Sequence, residues 1–378
     1  MSSTKKPGTK KLIIAGGGTG GHVLAGVAVA DSWIKNFGSD GEVLFVGARG
    51  GIEEKLVPRA GYKLEVLDLG SLNRVSFSRR IKTLCQLPLS LMKSAAIILK
   101  TQPHAVLGVG GYASGPLVLM ARVLGLFGLC SAQTGILEQN SVPGLTNRIL
   151  GKAVHQVFSA FPGMERHFNQ RKLRITGNPV RAAVVDAGKQ ATATPVEPFT
   201  VFIFGGSLGA LGINTLVLEC LPLLKDRLPR LRFIHQTGEK DYERVKKGYE
   251  AEGVNARVEK FIYDMPEVYQ QASLLVCRAG SSTLSEIAAV GRASVLVPFP
   301  FASDNHQEVN ARIFTDAGAA FLLIQSQSKG EDLAKIIRTL MDQPQKRAEL
   351  EQQVRKFYKP DSAGQIQRAL LDTTSRAV

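Results

Sequence analysis

Short runs of consecutive apolar residues, each closed by glycines and followed by apolar positions at helical spacing, set the plan of this chain. KKLIIA (10–15) reads as a buried strand, GGGTGGH (16–22) as a turn, and Val23 to Phe37 as a helix. The second half repeats the plan with PFTVFIF (198–204), GGSLGA (205–210) and a helical period from Ile213 to Leu224. Further strands are predicted at Glu42–Val46, Lys63–Leu67, Ala105–Val109, Leu231–His235 and Arg257–Phe261. A strand, a glycine turn and a helix, twice over, predict an α/β chain of two Rossmann-like domains, 1–181 and 182–361. Val184–Pro198 has linker composition, and the amphipathic tail 362–378 (Ile366, Ala369, Leu370) is expected to pack back on the first domain.

The richest stretch is 277–310. It predicts a strand at Leu274–Cys277, a small-residue turn at Arg278–Ser282, and a helix carrying Thr283, Ser285 and Glu286. A strand at Ser294–Pro298 follows, then a polar loop ending in Asp304, His306, Gln307 and Asn310. The C-terminal ends of parallel strands are where open α/β sheets bind ligands. Hydroxyls and amides around a single acid suit a polyhydroxylated ligand such as ribose or a sugar. The plainer alternative is a capped helix and an ordinary loop.

Composition narrows the class. With 378 residues the chain can bury two cores, and 38 glycines with 7% aromatics favour α/β layers over a β-sandwich. The net charge of +15 is uneven, about +13 in 1–180 and +2 in 181–378, and no Asp or Glu occurs from Leu69 to Leu137. Arg74, Arg79, Arg80, Lys82, Lys93, Lys100 and Arg122 lie in that span. A basic half implies an anionic partner: nucleic acid, lipid headgroups or a phosphorylated substrate. Cys85, Cys130, Cys220 and Cys277 are dispersed, as thiols in a reducing compartment are. Leu12–Ala15 is too short for a signal peptide, and the apolar run Leu117–Cys130 is broken by Arg122, so a cytoplasmic protein with peripheral membrane contact is expected. Ser76–Lys100 mixes Phe77, Ile81, Leu84, Leu87, Leu89, Leu91, Met92, Ile97 and Ile98 with cations, as an interfacial surface does. At roughly 1 kcal/mol per cation, four cations would hold an anionic bilayer by about 4 kcal/mol. The alternative is a core helix with a solvated basic face.

Gly16 to Gly21 satisfies GxGxxG after a strand, which suits a phosphate at a helix N-terminus. The acid that a dinucleotide site places after the second strand is missing, since Val46 is followed by Gly47, Ala48 and Arg49. A diphosphate loop is favoured, with a structural turn and a nicotinamide site as the alternatives. His22 at the helix start should be neutral and able to accept a proton from a hydroxyl; a capping role is the alternative. Gly205–Gly209 adds the Ser207 hydroxyl, and with Arg181 could stabilise a departing diphosphate. Gly110–Pro116 and Glu138-Gln139-Asn140 add two polar turns to the first half. There is no HExxH, DxD or Cys/His cluster, so no cofactor and no tightly bound metal is expected.

With these motifs placed, the chain resembles the MurG family of bacterial peptidoglycan N-acetylglucosaminyltransferases. The resemblance runs over about residues 11–370 and rests on GGGTGGH (16–22), GGYASGP (110–116), EQN..PGLTN (138–147), GNPVR (177–181) and GGSLGA (205–210). HQTG (235–238), FIYDM (261–265), CRAGSSTLSE (277–286) and DNHQEVNA (304–311) complete the set. It implies a GT-B fold, two Rossmann-like domains facing across a cleft. It implies inverting transfer from UDP-N-acetylglucosamine to the C4 hydroxyl of lipid I, an undecaprenyl-diphosphate-linked muramoyl peptide, giving lipid II. On this resemblance Ile262 meets the uracil with Arg181 nearby, and Glu286 takes the ribose hydroxyls. Ser207 and Ser281, Ser282, Thr283, Leu284 and Ser285 surround the donor diphosphate, while Gln307 and Asn310 read the sugar. Gly18, Thr19, Gly20 and Gly21, with Gly110, Gly111 and Tyr112, face the acceptor diphosphate. Thr19, Gly20, Gly21 and Asn140 also border the donor, and His22 and Asn140 flank the reacting hydroxyl. The implied location is the cytoplasmic face of the inner membrane, on an anionic surface and without nucleic acid. Leu137 and Ala25 stand where relatives often carry His and Pro. A diacylglycerol glycosyltransferase, a nucleotide-sugar epimerase and a non-enzymatic adaptor are the rival readings.

Overall fold

The computed structural model describes residues 8–69, 77–190, 197–206 and 208–372, without the side chains of 77–85. Two compact units divide the chain: Met1–Arg181 with Pro360–Val378, and Ala182–Lys359.

In the first unit, β1 (Lys10–Gly16), α1 (Gly20–Phe37), β2 (Gly41–Ala48), α2 (Glu53–Arg59) and β3 (Lys63–Leu67) are followed by α3 (Phe77–Thr101) and β4 (Ala105–Gly110). Next come α4 (Ser114–Leu126), β5 (Gln133–Glu138), α5 (Leu145–Ala153), β6 (Gln156–Ser159) and β7 (Leu173–Ile175). The parallel sheet has the order β3-β2-β1-β4-β5-β6-β7. Its connections reverse between β1 and β4, the switch point at which such sheets open a crevice. β1 can occupy the centre because both of its faces are apolar. Leu12 and Ile14 pack with Val27 and Trp33 of α1, whereas Ile13 and Ala15 join Ile98 and Val118 on the other side.

The second unit opens with α6 (Ala182–Gln190), β8 (Phe199–Phe204), α7 (Leu211–Cys220), β9 (Leu231–Gln236) and α8 (Tyr242–Ala251). It continues through β10 (Ala256–Glu259), α9 (Met265–Gln271), β11 (Leu274–Cys277), α10 (Ser281–Val290) and β12 (Ser294–Leu296). Then come α11 (His306–Asp316), β13 (Phe321–Leu322), α12 (Gly330–Asp342) and α13 (Pro344–Arg355). Its parallel order, β10-β9-β8-β11-β12-β13, places the switch point between β8 and β11. A last helix, α14 (Ser362–Leu371), returns to the first unit. There it buries Ile366 and Leu370 with Trp33 and Phe158, and Ser362 Oγ donates to Gly177 O at 2.9 Å.

Several expectations are corrected. The linker predicted from Val184 is helical through Gln190, because Val184, Ala187 and Gly188 form a small buried face against α9 and α10. Gly188 packs so closely on α10 that a Cβ would lie 2.3 Å from Ala289 O. The α7 helix stops at Cys220; Leu221–Arg230 tightens to 3-10 turns around Pro222 and Pro229, which have no N–H to continue an α-helix. Gln307 and Asn310 stand on α11, not in a loop. Ile97 and Ile98 are core residues and Lys93 Nζ donates to Val66 O at 2.7 Å, so only part of α3 presents an outer face.

That face is nonetheless apolar. Leu89 and Met92 of α3, Leu126 with the adjoining Phe127, and Leu145 and Ile149 of α5 are exposed on helices packed α3 to α4 to α5. Arg74 and the side chains of Phe77, Arg79, Arg80, Ile81, Lys82 and Leu84 lie outside the described residues. Among the described residues no helix is long and apolar enough to cross a membrane.

Candidate active site

In the second unit the predicted loops gather at the C-terminal ends of β8, β9, β11 and β12. The turn after β8 bends through Gly206 (φ 98°) and Gly209 (φ 77°), and lies so close to the turn after β9 that a Cβ on Gly209 would be 2.0 Å from Thr237 O. Gln236, which no local pattern within HQTG singles out, ties these elements together. Its Nε2 donates to Gly206 O at 2.9 Å and its Oε1 accepts the Ile262 N–H at 2.8 Å. One buried amide therefore spans the glycine turn and the FIYDM loop.

Beneath it runs a buried polar chain. Asn214 Nδ2 donates to Thr237 O and to Asp241, so its Oδ1 accepts from His235 Nε2 at 3.0 Å; Tyr249 then donates to His235 Nδ1 at 3.1 Å. Burial pushes the His235 imidazole down to about 3, which keeps it neutral in this arrangement.

The N-terminus of α10 follows Gly280, has no side-chain cap and carries no acid in its first turn, an end whose dipole suits an anion. Ser281, Ser282 and Thr283 supply hydroxyls there, Leu284 is fully buried, and Ser285 turns its Oγ back to Ser281 O at 3.0 Å. Glu286, 9% exposed, accepts from the Tyr269 hydroxyl at 2.9 Å. Gln307 Oε1 accepts from Phe299 N at 3.0 Å, and Asn310 Nδ2 donates to Ala279 O at 3.4 Å. Arg278, also missed, is nearly buried and donates to Val297 O, Pro298 O and Gln325. Burial lowers its guanidinium to about 10. Ser207 lies outside the described residues.

In the first unit two glycine turns interlock. Gly17 N donates to Gly110 O at 3.1 Å, and a Cβ on Gly111 (φ 82°) would lie 2.3 Å from Gly17 O. Only glycine permits this approach. Thr19 caps α1, accepting from His22 N at 3.4 Å, and His22 Nδ1 lies 3.1 Å from Gly17 O. The Gly18 N–H is already bound by Glu53 Oε2 at 3.0 Å, so an acceptor phosphate would draw on other donors of the turn. Gly20 and Gly21 open α1, and Tyr112 follows the second turn. Glu138 accepts from Asn140 N, Gly144 N and Asn147 Nδ2, which fixes the loop bearing Asn140. Burial raises the Glu138 carboxyl in opposition to those hydrogen bonds. Leu137 points into the apolar core beside Phe158 and Leu370, where a polar ring would need a partner.

Thr19, Gly20, Gly21, Asn140 and Arg181 thus belong to the first unit, and the rest of the expected donor set to the second. Among the described residues no cluster of three or more His, Cys, Asp or Glu is placed to hold a metal ion.

Comparison with known proteins assigns both halves. Residues 12–159 match the glycosyltransferase family 28 N-terminal domain and 200–366 its C-terminal domain. The UDP-N-acetylglucosamine--N-acetylmuramyl-(pentapeptide) pyrophosphoryl-undecaprenol N-acetylglucosamine transferase of Myxococcus xanthus is 42% identical over 362 residues, 96% of this chain and 92% of the relative. The enzyme of the same name from Syntrophus aciditrophicus is 42% identical over 89% of this chain and 91% of its own. The crystal structure of Acinetobacter baumannii MurG superposes with a TM-score of 0.73 at 29% identity, covering 96% of this chain and 99% of that one. A Neisseria meningitidis UDP-GlcNAc 2-epimerase, at 13% identity and TM-score 0.66 over 96% and 99% of the two chains, shares the fold alone. Two parallel Rossmann-like units with these matches constitute the GT-B fold. The chain belongs to glycosyltransferase family 28, among the UDP-N-acetylglucosamine--N-acetylmuramyl-(pentapeptide) pyrophosphoryl-undecaprenol N-acetylglucosamine transferases.

Proposed function

We propose that this chain transfers N-acetylglucosamine from UDP-N-acetylglucosamine to the C4 hydroxyl of lipid I, forming lipid II with inversion at the anomeric carbon. The observation that carries this reading is the near-complete match to transferases named for that donor and acceptor, 42% identical across 96% of the chain. The second unit takes the nucleotide: Ile262 the uracil, Glu286 the ribose hydroxyls, and the α10 N-terminus with the Gly205–Gly209 turn the diphosphate. Gln307 and Asn310 meet the sugar. The first unit presents the acceptor, its diphosphate on the Gly16–Gly21 and Gly110–Gly111 turns, and Asn140 beside the hydroxyl.

In the transfer step the C4 oxygen bonds to C1, the C1–O bond to the diphosphate breaks, and His22 Nε2 takes the hydroxyl proton. An α-linked donor becomes a β-1,4 product. Charge arriving on UDP is met by amides, Arg181 and hydroxyls fixed before the reaction, without a tightly bound metal. The outer face of α3, α4 and α5, apolar and within the acid-free basic span, holds the protein on an anionic cytoplasmic membrane surface. No nucleic-acid partner is required to account for the charge.

Incubation with labelled UDP-N-acetylglucosamine and a lipid I analogue, with and without chelator, tests the reading. A labelled disaccharide lipid is the expected product in both. Transfer to diacylglycerol instead, or conversion of the nucleotide sugar without acceptor, would contradict it.

A further inference from the structure

Glu53 is a buried carboxylate: 1% exposed, at the first position of α2, with no Lys or Arg paired to it among the described residues. Three glycines make room for it. A Cβ on Gly17, Gly47 or Gly51 would come within 2.0, 2.4 or 2.3 Å of its side chain. Its Oε1 accepts the Ala48 N–H at 2.9 Å and its Oε2 the Gly18 N–H at 3.0 Å. Enclosing a carboxylate this fully is costly, and a fold that only needed to fill the space had cheaper apolar choices.

The Gly18 N–H and the Gly17 C=O belong to one peptide unit and point in opposite directions across its trans bond. On the far side, Gly17 O lies 3.1 Å from His22 Nδ1. Carboxylate, peptide and imidazole therefore stand in series: Glu53 Oε2, the Gly17–Gly18 amide, His22 Nδ1. A carboxylate accepting the amide proton draws electron density toward the carbonyl oxygen and strengthens it as an acceptor, since hydrogen bonds in a chain polarise one another. That carbonyl can only accept, so it requires the proton on Nδ1 and leaves the basic lone pair on Nε2.

We propose that Glu53 is a positioning residue for the transfer step, acting through the Gly17–Gly18 peptide to strengthen the hydrogen bond that holds the His22 ring and so raise the basicity of its Nε2. The peptide takes the place that a directly bonded carboxylate occupies in a carboxylate–histidine pair. The inference rests on the reading of His22 as the base. No proton leaves Glu53 or the peptide during turnover; both act by polarisation and orientation.

Glu53→Gln keeps the shape and replaces the charge. Assayed on the full chain at a temperature where it stays folded, it should lower kcat about tenfold or more while the KM for UDP-N-acetylglucosamine stays near wild type; the melting temperature falls, since the new NH2 cannot accept one of the two N–H groups that Glu53 holds. The acid limb of the pH–rate profile should move to lower pH, because a less basic imidazole protonates later. Nitrogen-15 NMR of the histidines should show His22 protonated at Nδ1 in both proteins, with the Nδ1–H resonance shifted toward a weaker hydrogen bond in Glu53→Gln. Added to His22→Ala, the substitution should have no further effect. A wild-type kcat and pH profile in Glu53→Gln, an unchanged His22 Nδ1–H resonance, or an equal loss in the His22→Ala background would each overturn the proposal. Wild-type turnover by His22→Ala alone would instead remove the base reading, while the Nδ1–H resonance still reports on the relay.

Discussion

The main-chain N–H of Ile262 is held by the Oε1 of Gln236 at 2.8 Å, so the loop assigned to the uracil is built onto the strand beside it and not left to the ligand. The same side chain donates to Gly206 O, in the turn assigned to the diphosphate. Gln236→Leu leaves the buried Ile262 N–H unpaired, at about 1–3 kcal/mol, and releases Gly206 O in the exposed turn. UDP affinity, measured by calorimetry, should fall about tenfold or more, with the acceptor KM unchanged. Undiminished affinity would remove Gln236 from the donor site.

Glu286 is oriented by the Tyr269 hydroxyl. If it binds the ribose diol, Glu286→Gln should weaken UDP by about 1.5–3 kcal/mol, the worth of hydrogen bonds to a charged group. Tyr269→Phe should cost less, since it loosens the carboxylate without removing it. A titration comparing UDP with its 2′,3′-dideoxy analogue checks this: the analogue should bind wild type and Glu286→Gln alike.

His235 carries a pH signature. Its folded-state value, depressed to about 3 by burial, lies below the ordinary 6.5. Its neutral-state contribution is whole above pH 6.5 and is lost as pH falls from 6.5 toward 3, because only the unfolded chain takes up the proton. The slope is at most about 1.4 kcal/mol per pH unit. Denaturant unfolding across that window should show destabilisation on acidification, and His235→Asn should flatten its dependence on pH.

Leu89 and Met92 stand out on α3, and Ile149 on α5. Leu89→Glu with Met92→Glu should abolish sedimentation with phosphatidylglycerol vesicles and leave the UDP affinity of the second unit intact. Wild-type binding should weaken with salt. Retention of the double variant on vesicles would place the membrane face elsewhere.

Much of this was legible in the residues, for reasons that can be named. Leu12–Ala15 and Phe199–Phe204 read as central strands because burial on both faces leaves unbroken apolar runs. The α6 helix was hidden because alanines, valines and a glycine pack well yet have linker composition. The position of Gln307 and Asn310 on α11 was hidden by the polar residues that open that helix. Glu53 is not legible because the acid of a dinucleotide site belongs at the end of the second strand, where Gly47 and Ala48 stand; here the acid opens the next helix and faces the glycine loop. Gln236 and Arg278 act through backbone groups distant in sequence, which no local pattern reveals.

The division of labour between the two units is tested most directly by a crystal of the chain soaked with UDP. The account predicts the uracil along the main chain of Ile262, the ribose on Glu286 and the diphosphate at the N-terminus of α10. Nucleotide density in the Gly16–Gly21 turn of the first unit, with the second unit empty, would contradict it.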